Sequence, residues 1–199
     1  MTKLAAINVE TALAPRFGRG WHCLGEAADY RDGQLHTLNI FGTRLLAFAT
    51  SSGQISVIDA HCPHMGADLS RGALENDRVV CPFHHWQYDA SGKCVEIPYC
   101  KRIPPKAKTR SWLTCEENKL LFVWNNPQGK APADDVVIPH LPEQDSDEWL
   151  HDWNMDQLII ETNPRELVDN LADAQHFGPV HSTPTKYFAN VFEGHIAQQ

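Results

Sequence analysis

Cys62-Pro63-His64 and Cys81-Pro82-Phe83-His84 are the two segments that decide how this chain folds. Each follows a short apolar run that predicts a strand, Ile55–Asp59 before the first segment and Arg78–Val80 before the second. We therefore expect the two segments on two loops that close over one site. Thiolates and imidazoles together suit zinc or an iron–sulfur centre, so the sequence predicts a metal site between these loops.

The composition of the chain limits its class. Its 199 residues suit one large domain, or one domain plus part of another, and 42% apolar residues with 21% charged residues predict a folded core. The formal net charge of −8 argues against a nucleic-acid partner. No apolar run is long enough to span a bilayer, and the N-terminus has no secretory h-region, so we expect a cytoplasmic protein with reduced thiols.

Short apolar or alternating runs, separated by turn residues, fill the chain from Arg19 to about Trp124. This spacing, without a long helical pattern, predicts a small all-β sandwich or barrel. The expected strands are Leu35–Ile40, Thr43–Ala49, Ile55–Asp59, Arg78–Cys81, Trp112–Glu116 and Leu120–Trp124.

The last third of the chain has a different pattern. Residues 126–148 are rich in Pro, Asp and Gln and are expected to connect two regions. A strand is predicted around Gln157–Glu161, followed by a helix that starts at Pro164 after a capping residue. We expect this helix to reach about Phe177, where Gly178-Pro179 ends or kinks it.

The spacing C-x-H-x16-C-x2-H resembles that of the Rieske family. The resemblance implies a [2Fe–2S] cluster held by Cys62, His64, Cys81 and His84, with the two cysteines on one iron and the two histidines on the other. A structural zinc site with two cysteines and two histidines is the alternative. Zinc fingers favour Cys-x-x-Cys paired with His-x3–5-His spacing, which this chain lacks.

Residues next to the four proposed ligands fit the same interpretation. Trp86 and Tyr88 can shield a cluster, and a tyrosine hydroxyl can hydrogen-bond its sulfur atoms. His61 and His85 flank the ligands and are interpreted as exposed or hydrogen-bonding neighbours. The remaining cysteines have no partner at metal spacing and are expected to be thiols without a metal; they are Cys23, Cys94, Cys100 and Cys115.

Asp173-x2-His176-x4-His181 forms a second constellation on or after the predicted helix. In a continuous helix, Asp169, Asp173 and His176 share one face. Two histidines and one carboxylate with open positions suit non-haem Fe(II). The motif alone is weak, and a charged helix surface is the alternative.

Because it lies C-terminal to a Rieske motif, this constellation resembles the iron-binding motif of the Rieske non-haem iron oxygenases. The resemblance implies that His176 and His181 bind a mononuclear iron. It implies that Asp173 links the iron site to a cluster histidine of a neighbouring subunit, which requires a homotrimer or a comparable oligomer. The resemblance also implies that Asp169 lies near the iron without binding it directly. The Gly178-Pro179 pair departs from the bulky residues often found there.

A closer resemblance, to the oxygenase components of 3-ketosteroid 9α-hydroxylases, extends from about residue 17 to 199. It rests on Trp21-His22, on 64–69, on Ile97-Pro98-Tyr99 with Ile103-Pro104-Pro105, on 121–124 and above all on 184–195. It implies a monooxygenase that hydroxylates a steroid or similar hydrophobic substrate. Oxygen and electrons from an NADH-dependent flavin and iron–sulfur reductase would drive the reaction.

The resemblance also implies an α+β architecture. Residues 1–145 are expected to form an all-β Rieske domain with an N-terminal arm and a linker, and residues 146–199 the start of a helix-grip-like catalytic domain. The family's third iron ligand, a carboxylate, comes from further downstream, and we expect it outside this sequence. The chain then needs a second subunit or a missing half, or it is a Rieske electron-transfer protein with a vestigial iron site.

Overall fold

The computed structural model describes residues 17–150, 152–156, 158–183, 185–194 and 196–198. These residues form two compact units, the first ending at Trp153 and the second beginning at Asn154. The expected N-terminal arm before residue 17 lies outside the described residues. The domain boundary expected between residues 145 and 146 stays a prediction.

The strands of the first unit are β1 (Gly20–Glu26), β2 (His36–Ile40), β3 (Thr43–Ala49), β4 (Ile55–Asp59), β5 (Ala73–Glu75), β6 (Arg78–Val80), β7 (Gln87–Tyr88), β8 (Cys94–Glu96), β9 (Ser111–Trp112), β10 (Thr114–Glu117) and β11 (Leu120–Asn125). They form three antiparallel sheets, with orders β1-β11-β10, β2-β3-β4-β9 and β5-β6-β7-β8. The expectation of an all-β cluster domain is confirmed.

The sheet β2-β3-β4-β9 separates two hydrophobic cores. Side chains alternate between the faces of a strand, so Leu46 and Phe48 of β3 enter the core shared with β5–β8. Leu45 and Ala47 enter the core shared with β1 and β11. Burial on both faces explains why β3 reads as an almost continuous apolar run.

One predicted strand proved to be two. The run Trp112–Glu116 divides into β9, which pairs with β4, and β10, which pairs with β11. Between them, the carbonyl of Leu113 accepts a hydrogen bond from the Trp124 amide. The chain changes sheets at Leu113, so a single extended run of sequence contributes to two sheets.

The segment that follows β11 is fastened to the β10–β11 turn by Asn118. The buried Asn118 side chain donates to the Pro139 carbonyl and accepts from the Leu141 amide, both at 2.8 Å. Its backbone carbonyl accepts from the Trp153 indole N–H, also at 2.8 Å. The turn therefore holds the later part of the connecting segment and the tryptophan that follows it.

His140 adds two hydrogen bonds whose strength depends on pH. Its Nδ1 lies 2.8 Å from a Glu117 oxygen and its Nε2 2.8 Å from an Asp145 oxygen. The hydrogen bond to Glu117 raises the pKa of His140 most, and the hydrogen bond to Asp145 raises it further. The stabilisation from charged His140 is complete below the ordinary histidine pKa and is lost as pH rises through the raised pKa.

We expect the difference in unfolding midpoint between the wild type and His140→Gln to be largest near pH 6 and to shrink in alkali. A constant difference would contradict this.

The second unit contains the helix α1 (Pro164–Ala172), a 3-10 turn (Ala174–His176), the helix α2 (Phe177–His181) and a hairpin of β12 (Val191–Glu193) and β13 (Ile196–Gln198). The predicted helix start at Pro164 is confirmed. The predicted end at Phe177 is wrong, because Asp173 is extended and its carboxylate accepts the Gln175 amide at 2.9 Å. This local hydrogen bond competes with the helix.

The break has two consequences for the sequence predictions. Asp169, Asp173 and His176 do not share one helical face, because only Asp169 lies in α1. Gly178-Pro179 does not end a helix either. It occupies the first turn of α2, where the missing proline N–H has no helical partner to lose.

The strand predicted around Gln157–Glu161 is absent from the described residues of that range, which are 158–161; Gln157 lies outside them. Leu158 and Ile159 are 82% and 92% exposed. A β-branched run forms a strand only where a neighbouring strand pairs with it, and the described residues place none there. No helix in the described ranges is long and apolar enough to cross a membrane.

Candidate cluster site and iron motif

The two predicted ligand loops close with the same backbone pattern. The Cys62 amide donates to the Ala67 carbonyl and the Cys62 carbonyl accepts the Gly66 amide. Cys81 repeats this with Trp86 and His85. The fifth residue of each loop is left-handed, with φ of 74° at Gly66 and 56° at His85. Both cysteines are thereby held at the base of a tight hairpin.

The two thiols lie together in the interior. Cys62 and Cys81 are 2% and 1% exposed, and their side chains interact with each other. Burial raises the pKa of the Cys81 thiol, and the neighbouring Cys62 raises it further. A cation is what converts such a buried pair to thiolates, so the pair suits an iron ligand set.

The two imidazoles lie together nearer the surface. The His64 and His84 rings are 4.7 Å apart, centroid to centroid, in an edge-to-face arrangement. Trp86 stacks on His64 at 4.4 Å with the planes 8° apart. Thiols inside and imidazoles outside form two pairs, which is the division that a cluster with one cysteine-bound and one histidine-bound iron requires. In the described residues no three His, Cys, Asp or Glu side chains are grouped to hold a single ion.

Tyr88 lies at the buried end of the site. Its hydroxyl is 3.0 Å from Cys62 Sγ, and burial, followed by the Cys62 contact, raises its pKa. The hydroxyl therefore stays protonated and can donate to a thiolate. Tyr88 is fully buried and pairs with Cys94 across β7 and β8, so the direction of this bond is fixed by the sheet.

Tyr88→Phe should lower the reduction potential of a cluster bound here. The lost hydrogen bond stabilises the extra negative charge of the reduced state, and about 1 kcal/mol corresponds to a shift on the order of 50 mV for one electron. Tyr30→Phe is the matched control, because Tyr30 donates to the Leu24 carbonyl in the other core. A redox titration followed by visible absorbance measures both variants. An equal shift in the two would rule out a specific role of Tyr88.

The iron motif brings its two histidines together. The His176 and His181 rings are 5.2 Å apart, and the side chain of His176 is 15% exposed. Neither ring nitrogen of His176 has a hydrogen-bond partner, although both are buried. Asp173 Oδ2 lies 3.6 Å from His176 Nδ1, too far for a hydrogen bond. Buried nitrogens without partners suit metal ligation. Asp169 is exposed on α1.

The remaining predicted neighbours are placed as follows. His61 and His85 are exposed, and all six cysteines are free of disulfides. The tight turn at Gly92 faces Thr109, whose carbonyl oxygen would lie 2.5 Å from an added Cβ, so this close backbone contact requires glycine. Sequence reasoning missed the role of Tyr99, whose hydroxyl accepts the Trp86 indole N–H at 2.7 Å.

Comparison with known proteins agrees with this geometry. The model of the Rieske [2Fe-2S] domain matches residues 20–111, and that of the 3-ketosteroid 9alpha-hydroxylase C-terminal domain matches residues 123–199. The chain combines a Rieske [2Fe-2S] domain with the matched part of a 3-ketosteroid 9alpha-hydroxylase C-terminal domain. The predicted resemblance and the α+β fold class are therefore confirmed, and so is the presence of a Rieske [2Fe–2S] domain.

Several relatives of this chain carry steroid-related names. It is 51% identical over 194 residues to a 3-ketosteroid-9-alpha-monooxygenase oxygenase component of Rhodococcus rhodochrous, covering 96% of this chain and 50% of the relative. The corresponding component of Mycolicibacterium smegmatis is 50% identical over 189 residues, covering 94% and 49%. A cholesterol 7-desaturase of Ciona intestinalis is 36% identical over 170 residues, covering 85% and 36%.

A solved structure supports the same fold. Dicamba monooxygenase bound to dicamba superposes with a TM-score of 0.66 at 25% identity, covering 82% of this chain and 48% of that one. The chain thus spans about half the length of the curated relatives it matches. Pro184 and His195, at the edges of the most specific matching stretch, lie outside the described residues.

Proposed function

We propose that this chain is part of the oxygenase component of a Rieske monooxygenase that hydroxylates a steroid or similar hydrophobic substrate with O2. The observation that carries the proposal is the paired arrangement of buried thiols and outer imidazoles, together with the unpartnered His176 nitrogens. The names of the relatives supply the substrate class.

The residues have distinct roles in this proposal. Cys62 and Cys81 hold one iron of a [2Fe–2S] cluster, and His64 and His84 hold the other. The bound cluster stores one electron, and a mononuclear iron supplies the oxygen chemistry. Tyr88 donates to the Cys62 sulfur.

In the second unit, His176 and His181 bind the mononuclear iron, and Asp173 orients an iron ligand and links it to a cluster histidine of a neighbouring subunit. Asp169 supports the iron site. The proposed domains are residues 1–145 for the cluster and 146–199 for the iron motif.

The proposal includes partners and a location. A flavin and iron–sulfur reductase oxidises NADH and donates the electrons. The chain assembles as a homotrimer or as a hetero-oligomer in which a second subunit completes the catalytic domain. The free cysteines suit a reducing compartment, so a cytoplasmic location belongs to the proposal.

Iron content distinguishes the proposed oxygenase from a Rieske electron carrier. We expect red-brown protein with Rieske absorbance and two cluster irons per chain, and a third iron once the catalytic domain is complete. Two irons under all conditions would favour the electron carrier. Colourless protein with stoichiometric zinc would overturn both.

Asp173→Ala should lower turnover of the assembled enzyme about 10–100-fold, the range expected when a residue that orients a metal ligand is lost. The Rieske spectrum should be retained, because Asp173 is not one of the four proposed cluster ligands. Asp156→Ala removes another exposed acid of the second unit and is the matched control. Steady-state turnover with reductase measures the effect. Full activity of Asp173→Ala would remove the bridging role.

A further inference from the structure

The segment Pro98–Lys108, here called the basic loop, concentrates positive charge on an acidic chain. From Ile97 to Cys115 the sequence has five cations and no acid, although the whole chain carries 25 acids and 17 Lys and Arg residues. All five cations are exposed; four lie in the basic loop (Lys101, Arg102, Lys106 and Lys108), and Arg110 lies just after it. Among the ion pairs of the described residues, none involves a cation of the basic loop.

The basic loop is anchored to the proposed cluster site. Ile97 and Ala107 are buried in the same core as Cys62 and Cys81. The Ala107 carbonyl accepts the Cys94 amide at 2.9 Å. Both ends of the loop are therefore fixed to the half of the unit that carries the ligands.

Tyr99 connects the surface of this loop to a proposed cluster ligand. Its side chain is 63% exposed, and its hydroxyl accepts the Trp86 indole N–H at 2.7 Å. Trp86 is buried and stacks face to face on His64 at 4.4 Å. One hydrogen bond and one ring stack thus join an exposed ring to the imidazole, and short contacts of this kind are what electron tunnelling requires.

Two apolar side chains that neighbour the proposed histidine ligands in sequence are exposed. Met65 and Phe83, from the two ligand loops, are 63% and 59% exposed, and the Phe83 ring lies 4.2 Å from His84. An apolar centre beside a charged rim is the usual composition of a transient protein interface. Positive charge on the rim favours an acidic partner and speeds encounter more than it tightens binding.

We propose that the basic loop is the docking surface for an acidic electron-donor protein and that the electron passes through Tyr99, Trp86 and His64. This rests on the proposed function, because the donor is the iron–sulfur centre of the reductase or a carrier of that class. One electron leaves the reduced centre of the donor, which is oxidised by one electron, and the cluster is reduced by one electron.

Stopped-flow reduction of the cluster-loaded chain tests the docking surface. The probe is a reduced, acidic plant-type [2Fe–2S] ferredoxin, and the variant is Lys101→Glu with Arg102→Glu. We expect the bimolecular rate constant to fall at least about tenfold at low salt and the difference to shrink near 0.5 M salt. Arg19→Glu with Lys130→Glu makes the same change in net charge at exposed positions flanking β1 and β11, and should slow the reaction far less.

Reduced methyl viologen serves as a small cationic donor. Its rate should be unchanged or raised in Lys101→Glu with Arg102→Glu, because added negative charge attracts a cation. Equal slowing by ferredoxin in both double variants, or no slowing in either, would overturn the docking surface. Absence of Rieske absorbance in the wild-type chain would instead refute the proposed function before any rate is measured.

Tyr99→Leu tests the path separately from docking. At saturating ferredoxin, the limiting first-order rate should fall several-fold while the visible and EPR spectra of the cluster stay the same. Tyr187→Leu replaces a tyrosine that is 85% exposed in the second unit and is the control. An unchanged limiting rate in Tyr99→Leu would exclude the path through Tyr99.

Discussion

Replacing Cys62 by serine should abolish the Rieske centre. A serine hydroxyl cannot supply a thiolate. Residue 62 is buried, so a ligand from solvent cannot reach the iron there in its place. We expect bound iron and Rieske absorbance to fall at least about 100-fold, beyond the 10–100-fold typical of losing a residue that only supports a ligand. The unfolding midpoint should fall too, because metal binding contributes to folding.

Cys100→Ser is the matched control for this substitution. Cys100 is exposed, and its thiol donates only to the Arg102 carbonyl at 3.2 Å. Iron analysis, visible spectra and thermal unfolding of the two variants should separate ligand loss from the general effect of removing a thiol. A Cys62→Ser protein that keeps the Rieske spectrum would refute the assigned ligand.

Gly72→Ala should cause the largest loss of stability among the glycine-to-alanine substitutions in the first unit. An added Cβ would lie 2.0 Å from the Val80 carbonyl oxygen and 3.1 Å from the Leu69 carbonyl oxygen. Both contacts are to backbone, so no side chain can turn away. We expect a loss on the order of 3 kcal/mol or more in the free energy of unfolding and a midpoint roughly 10 °C lower.

The same substitution should reduce cluster incorporation. Val80 pairs with Ala73 at the end of β6, directly before Cys81, so displacement of its carbonyl moves the second ligand loop. Gly18→Ala is the control, because an added Cβ there meets no atom within 4 Å. Thermal unfolding and iron content decide the matter. A Gly72→Ala protein as stable as Gly18→Ala would show that the strands separate at little cost.

The sequence was most informative where local signals and burial agree. β3 and β4 have the predicted bounds, because their apolar residues fill two cores. Turn residues were expected between the apolar runs, and two of them, Asn76 and Asn118, have left-handed backbone conformations in the turns between strands. The two ligand segments lie directly after strands, as their position behind apolar runs predicted.

Prediction failed where long-range contacts or local polar bonds decide the conformation. Leu113 shows no turn signal, yet the chain changes sheets there. The helical pattern continued through Asp173, but its carboxylate closed a separate turn. Tyr99 could not be predicted as the partner of Trp86, because a hydrogen bond between residues 13 positions apart depends on the fold of the intervening hairpin. The residues next to an exposed tyrosine in the sequence do not indicate which group its hydroxyl contacts.

The matched closure of the two ligand loops makes them two copies of one backbone frame, a duplication that no repeat in the sequence reveals. Within that frame the histidine stands two positions after Cys62 but three after Cys81. The same pair of closing hydrogen bonds is present in both copies, and the two imidazole planes differ by 68°. One pattern of loop closure therefore accommodates the histidine at either of two positions along the loop.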